Sequence, residues 1–148
     1  MAQRSQGLED FVFDQLTSEI LNDPHQEYMS PEIQAGFVAA LNEWKRVLIE
    51  ESQQTLDNIK NQELSASDLS DQATQEESFS LYLKERDRER KLLNKIDEAL
   101  HRLETQEYGY CCACGVEIGY ERLLARLTAT MCIDCKSAQE SFEKHKSF

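Results

Sequence analysis

Cys111-Cys112-Ala113-Cys114 is followed by seventeen residues and then by Cys132-Ile133-Asp134-Cys135. The pattern is C-x2-C-x17-C-x2-C, inside the spacing expected of a four-cysteine zinc site. Zn²⁺ takes four soft ligands in a tetrahedron, and each C-x2-C turn supplies one edge of it. Gly115 follows Cys114, where a knuckle can use a residue free to take positive φ. Cys112 cannot begin a C-x2-C with Cys114 and is left out. Cys111, Cys114, Cys132 and Cys135 are therefore the expected ligands of one structural Zn²⁺. Four thiolates fill the shell and leave no place for a reactive water, which argues against catalysis. A thioredoxin-like redox pair fits poorly, because there are two matched pairs and no βαβ pattern around them. A disulfide framework fits poorly too, because the first seven residues are polar and no apolar signal stretch follows. A cytoplasmic, reducing setting is expected.

The charge distribution limits the partners. The chain carries a net charge of −12, divided as −5 over residues 1–30, −5 over 31–72, −2 over 73–107 and 0 over 108–148. No segment is net positive, so duplex DNA is a poor partner even though a zinc module invites that guess. No apolar run approaches a membrane span. A hydrophobic content of 40% with 30% charged residues suits a small core with extended helices better than one compact globule. Two prolines in 148 residues leave room for long uninterrupted helices.

Outward from the cysteines, the chain reads as helices. Leu8, Val12, Leu16 and Ile20 suggest a short amphipathic helix over residues 7–22, ended by Asp23-Pro24. Ser30-Pro31-Glu32 is a helix start, with Ser as N-cap, Pro at the first helical position and an acid in the first turn. Ile33, Phe37, Leu41, Trp44 and Leu48 then mark an apolar row that meets polar Ser52 and resumes at Leu56 and Ile59, giving a helix from 31 to about 61. Residues 62–72 hold small polar residues and two capping candidates, Asp68 and Ser70. From Ala73 onward Phe79, Leu83, Leu93, Ile96, Leu100 and Leu103 form a second row, interrupted by Arg86 and Arg90, with Gly109 closing the helix after Tyr108. Ser52 is expected to face the Arg86–Arg90 region. Two such helices joined by a short loop fold back as an antiparallel hairpin with arms of about 45–50 Å. The expected fold is mainly α: a long antiparallel coiled-coil hairpin on a small base, with a four-cysteine zinc finger and a C-terminal helix near 133–146. The expected units are residues 1–30 packing on the base, 31–107 as hairpin with its tip at about 62–72, and 108–148 as zinc finger and terminal helix.

Tyr108-Gly109-Tyr110-Cys111, Cys114-Gly115-Val116-Glu117-Ile118-Gly119 and Leu124-Ala125-Arg126, leading to Cys132-Ile133-Asp134-Cys135-Lys136, resemble the DksA/TraR zinc-finger family of bacterial transcription factors. So do Arg86-Asp87-Arg88-Glu89-Arg90-Lys91, Asp68-Leu69-Ser70-Asp71-Gln72-Ala73 and Glu27-Tyr28-Met29. The likeness covers residue 27 to the C-terminus. It implies a monomer that binds RNA polymerase directly, with the coiled coil entering the secondary channel, and that does not bind DNA. With the alarmone ppGpp such a protein destabilises promoter complexes, represses ribosomal RNA promoters and activates some amino-acid promoters. The resemblance puts Asp68, Asp71 and Ala73 at the coiled-coil tip and Leu92, Lys95, Arg126 and Lys136 on the ppGpp-facing surface. Three departures stand out: Leu127 replaces a customary proline and should leave a less rigid loop, Gln72 replaces a base, and Glu85 adds an acid.

The residues also admit other readings. Asp68 and Asp71 can be helix caps. The charges from Lys84 to Lys95 can be a solvated face, with Asp87 pairing with Lys91 at i,i+4. A zinc-ribbon nucleic-acid binder and a zinc-thiolate redox sensor are the rival functions. His25, His101 and His145 have no evident nucleophile partner, so an enzyme is not expected.

Overall fold

The computed structural model describes residues 14–18, 20, 27–65 and 69–146. The remainder of the expected helix over 7–22, and residues 66–68 of the tip with Asp68, lie outside the described residues. Within them the order is α1 (Pro31–Ser65), α2 (Leu69–Glu104), α3 (Tyr120–Ala125) and α4 (Ile133–Lys146). Among the described residues there is no strand, only an isolated antiparallel bridge between Tyr110 and Glu117. No helix of the described residues is long and apolar enough to cross a membrane.

The local signals explain the start of α1. Gln34 N–H donates to the Ser30 carbonyl at 2.9 Å, and Ile33 N–H reaches Ser30 Oγ at 3.5 Å. These are the backbone and side-chain halves of an N-cap, with Pro31 at the position that needs no donor. The helix runs 35 residues to Ser65, one turn beyond the expected end. α2 runs 36 residues back along it, and the two pack against each other as an antiparallel hairpin.

The hairpin is well packed only in its lower half. Ile33, Phe37, Ala40, Leu41 and Leu48 of α1 are buried against Ile96, Ala99 and Leu103 of α2. Lys45 Nζ and Asp97 Oδ1 bridge the arms at 2.6 Å, on the exposed rim where a pair adds little stability. Ser52 is the buried polar interruption, and it accepts a hydrogen bond from Arg86 Nη1.

Above that pair the seam departs from the sequence reading. Phe79 and Leu83 do not line it; they are 44% and 52% exposed. The half-buried positions of α2 in this region are Gln75, Ser78, Tyr82 and Glu89, and below them Leu92 and Leu93 lead to buried Ile96, Ala99 and Leu103. From Gln75 to Tyr82 and from Glu89 to Leu103 that series contains the alternating three- and four-residue steps of a heptad, with a seven-residue gap between Tyr82 and Glu89 where Glu85 and Arg86 are exposed. The step from Phe79 to Leu83 is a pure four, which overshoots a full turn by about 40° and drifts off a seam repeating every 3.5 residues. In the upper half, α2 thus turns its apolar Phe79, Leu81 and Leu83 outward, while Leu56 and Ile59 of α1 stay half-buried.

The end of α2 is a second correction. The helix stops at Glu104, not after Tyr108, and Gln106 takes φ +66°. Gln106 N–H donates to the Leu103 carbonyl at 3.4 Å and Glu107 N–H to the Arg102 carbonyl at 2.8 Å. This is a Schellman motif with glutamine at the left-handed position that usually holds glycine. Gly109 is needed for a different reason. It sits at φ +91°, and a Cβ on it would stand 3.0 Å from Met29 Cγ and 3.1 Å from the Tyr28 hydroxyl.

The base of the hairpin is closed by aromatic rings. Tyr28 stacks on Tyr120 at 4.7 Å and meets Tyr110 edge-on at 5.7 Å, while Phe37 touches Tyr108 at 5.3 Å. Leu16 is buried in the same core, with Ile20 packed against it. Burial raises the Tyr108 phenol well above its ordinary value, and its hydroxyl donates to the Leu127 carbonyl at 2.6 Å. Leu127, where a looser loop was expected, has its side chain in the core and its carbonyl held by that bond.

Candidate metal centre and a basic concavity

The first cysteine pair is set on a tight reversal of the chain. Ile118 N–H donates to the Gly109 carbonyl at 2.7 Å and Cys111 N–H to the Val116 carbonyl at 2.8 Å. These bonds flank the Tyr110–Glu117 bridge and point the intervening loop outward. Gly115, at φ +79°, donates its N–H to the Cys111 carbonyl at 2.9 Å and closes the knuckle. Open space surrounds it, so the need for glycine there is conformational rather than steric. The second pair straddles the start of α4. Cys132 takes the place of its N-cap: Lys136 N–H donates to the Cys132 carbonyl at 3.0 Å, and Cys135 N–H points at Cys132 Sγ at 3.5 Å. Cys112 N–H bonds the Thr130 carbonyl at 2.8 Å and ties the two halves together.

The four sulfurs meet the geometric demand of zinc. All lie within 4.8 Å of one another, and Cys114 and Cys132 are 3.7 Å apart. A tetrahedron with Zn–S bonds of about 2.3 Å requires sulfur–sulfur separations of about 3.8 Å. Cys112 is exposed and outside the cluster. Four thiols this close cannot ionise independently. Backbone N–H groups, that of Cys132 foremost, lower Cys111 to about 6, whereas the sulfurs of Cys132, Cys114 and Cys111 push Cys135 well above its usual range. A divalent cation removes that opposition by neutralising the thiolates together. Those four residues would hold Zn²⁺, with no position left for water.

A second feature lies where the hairpin meets the zinc module. A concavity of about 260 Å³ is lined by Lys95 and Glu98 of α2, Arg122 of α3, Arg126 just beyond it, and Thr130 and Lys136 on the approach to and within α4. It brings together Lys95, Arg126 and Lys136, which are far apart in sequence. Arg122 Nε donates to the Met131 carbonyl at 3.0 Å, and Lys136 Nζ to Gln139 Oε1 at 3.3 Å. Leu92 lies outside the lining, one turn along α2 from Lys95 and packed partly against the core. Arg122 and Glu98 were not expected from the sequence. Their spacing was the available signal: Glu98 is three residues after Lys95 on the same helix, and Arg122 is four residues before Arg126, the residue that ends α3.

At the other end of the hairpin, Asp71 lies in the first turn of α2 and Ala73 is exposed. Arg86, Arg88, Arg90 and Lys91 lie along the exposed upper half of α2, with Lys91 and Asp87 paired at 3.2 Å.

Comparison with known proteins matches this architecture. Residues 34–103 match the N-terminal domain of DnaK suppressor protein DksA, and residues 106–141 match the prokaryotic dksA/traR C4-type zinc finger. The chain is 47% identical over 119 residues to the RNA polymerase-binding transcription factor DksA of Haemophilus influenzae, covering 80% of this chain and 82% of that one. It is 46% identical over 121 residues to the protein of the same name from Escherichia coli K12, covering 82% and 80%. The structure of transcription factor DksA2 from Pseudomonas aeruginosa superposes with a TM-score of 0.78 at 39% identity, covering 87% of this chain and 99% of that one. The zinc-finger match and the four-cysteine cluster identify the cofactor as one structural Zn²⁺.

Proposed function

This chain belongs to the DksA/TraR zinc-finger family, and on that premise we propose that it binds bacterial RNA polymerase directly and regulates transcription initiation. It acts by binding, not by catalysis, in the cytoplasm where polymerase works, as a monomer and without contacting DNA. The hairpin enters the secondary channel of polymerase and carries its tip, with Asp68, Asp71 and Ala73, toward the catalytic centre. The zinc module anchors the base of the hairpin. With ppGpp bound at the shared surface, the protein destabilises promoter complexes, repressing ribosomal RNA promoters and activating some amino-acid promoters.

The observation that carries this reading is the concavity at the hairpin–zinc junction. Four cationic side chains, Lys95, Arg122, Arg126 and Lys136, converge there on a chain of net charge −12. Collecting like charges on one concave face opposes the fold, and a polyphosphate offsets that opposition through charge-assisted hydrogen bonds. Leu92 belongs at its edge as an apolar contact. Duplex DNA does not suit the same surface, because the acidic remainder of the molecule repels a long polyanion while a small one fits within the hollow.

The test is co-purification with RNA polymerase, followed by transcription in vitro from a ribosomal promoter with and without ppGpp. Asp68→Asn/Asp71→Asn should bind polymerase within a few-fold of wild type and fail to destabilise the promoter complex. Asn caps a helix nearly as well as Asp, so capping alone predicts no loss. Lys95→Ala or Lys136→Ala should keep polymerase binding and lose the ppGpp-dependent enhancement. Normal regulation by the double Asn variant refutes the role of the tip, and an undiminished ppGpp response in both Lys variants and in Arg126→Ala refutes the role of the concavity.

A further inference from the structure

The carboxylate of Glu98 stands in a hollow otherwise built to attract anions. It is one turn beyond Lys95 on α2 and lines the same concavity as Arg122, Arg126 and Lys136. Among the described residues it forms no ion pair or hydrogen bond, not even with Lys95 at i−3. Lys preceding Glu is the less favourable orientation of such a pair on a helix, so the carboxylate is left free. An ionised carboxylate only accepts hydrogen bonds and repels phosphate. Its complement on a nucleotide polyphosphate is therefore a group of donors remote from the phosphates. Guanine presents N1–H and the N2 amino group side by side, matched to two carboxylate oxygens, whereas adenine presents an acceptor at N1.

We propose that Glu98 is a specificity-determining residue that reads the guanine edge of the ligand, while Lys95, Arg122, Arg126 and Lys136 hold the phosphates. The inference rests on the ppGpp reading above and adds what selects the base. The division of labour has support in Arg122, whose Nε is already committed to the Met131 carbonyl at 3.0 Å. That anchor leaves its two terminal nitrogens as an oriented fork suited to phosphate oxygens. The hollow, at about 260 Å³, is smaller than the pockets that engulf a whole drug-sized ligand, so it holds part of a nucleotide and leaves the rest to polymerase.

The test uses the full zinc-loaded chain bound to RNA polymerase. The probes are guanosine, inosine and adenosine each carrying 3′- and 5′-diphosphates, and the readout is the binding that the chain adds to polymerase alone. Wild type should prefer the guanosine compound over the adenosine compound by at least about tenfold, the scale of a pair of charge-assisted hydrogen bonds, with inosine between them. Glu98→Ala should weaken the guanosine compound alone and bring the ratio near unity. Glu98 is exposed, so circular dichroism of the variant should match wild type. If Glu98→Ala tightens all three compounds equally, the carboxylate only repels phosphate and the inference is wrong. An unchanged guanosine-to-adenosine ratio overturns it as well. If Lys95→Ala and Lys136→Ala also leave the added binding untouched, the ppGpp reading itself fails and takes this inference with it. Loss of binding in the Lys variants with an unchanged ratio in Glu98→Ala overturns the base-reading role alone.

Discussion

Tyr28→Phe removes one oxygen from the joint between hairpin and zinc module. The Tyr28 hydroxyl donates to the Gly109 carbonyl at 2.8 Å and lies against the Ile118 carbonyl as a second acceptor. Gly109 O keeps a partner in Ile118 N–H at 2.7 Å, so the loss falls mainly on Ile118 O. A neutral hydrogen bond contributes about 0.5–1.5 kcal/mol net, and a half-buried carbonyl left unpaired adds up to about another 1 kcal/mol. The ring contacts with Tyr120 and Tyr110 survive in phenylalanine. The expected cost is about 1–2 kcal/mol, or about 2–8 °C in the melting temperature of a chain this size. The same substitution changes the response to alkali. Burial raises the Tyr28 phenol well above its ordinary value, with Tyr120 and Glu117 adding to the effect. A group whose folded value is raised stabilises fully below its unfolded value and loses that contribution as pH rises toward the folded one. Wild-type stability should therefore fall as pH climbs past about 10, and Tyr28→Phe should fall less steeply. Thermal unfolding of zinc-loaded protein from about pH 7 to about pH 11 spans that change and measures both. A variant that melts within about 1 °C of wild type at neutral pH and parallels it in alkali would show that the hydroxyl is not what joins the two parts.

Cys114→Ser should bind zinc at well below one equivalent and melt lower, while far-ultraviolet circular dichroism retains most of the helix, since the packing of Phe37, Leu41, Ile96 and Leu103 does not depend on the metal. Stoichiometric zinc with an unchanged melting temperature would refute the four-thiolate assignment. Gln106→Gly should stabilise by up to about 1 kcal/mol, because it relieves a side chain held at φ +66°, less whatever the exposed Gln34–Gln106 bond at 3.1 Å contributes. Chemical denaturation checks it, and a loss of stability would mean that the side-chain bond outweighs the backbone strain.

The parts of this molecule that are legible in its sequence are those whose chemistry is local. Two C-x2-C pairs demand a tetrahedral ion whatever surrounds them, and Ser30-Pro31 satisfies a helix start without help from the rest of the chain. The six residues of α3 are too few for a periodicity to register, and Leu123 is fully buried there because of what packs on it. The upper seam of α2 escapes a sequence reading for a related reason. Phe79 and Leu83 attract notice as apolar residues, yet register is set by the packed heptads below, and it leaves them exposed while Gln75, Ser78 and Tyr82 are half-buried.

Gly109 shows why a correct signal can carry the wrong cause. A glycine after a long helix reads as a stop, but the stop is accomplished earlier in the chain by Gln106, in a conformation its type rarely adopts. Gly109 is required instead because Tyr28 and Met29, far away in sequence, lie against its backbone. The concavity has the same character. Lys95 and Glu98 have meaning as a pair only once Arg122, Arg126 and Lys136 are folded against them. Composition reports an acidic chain, and it is the tertiary fold that collects four of its cations and one free carboxylate around a single hollow. Under the proposed reading, selectivity for a small polyanion would belong to the junction between hairpin and zinc module. Anything that loosens that junction, Tyr28→Phe included, should weaken ligand response before it weakens the hairpin.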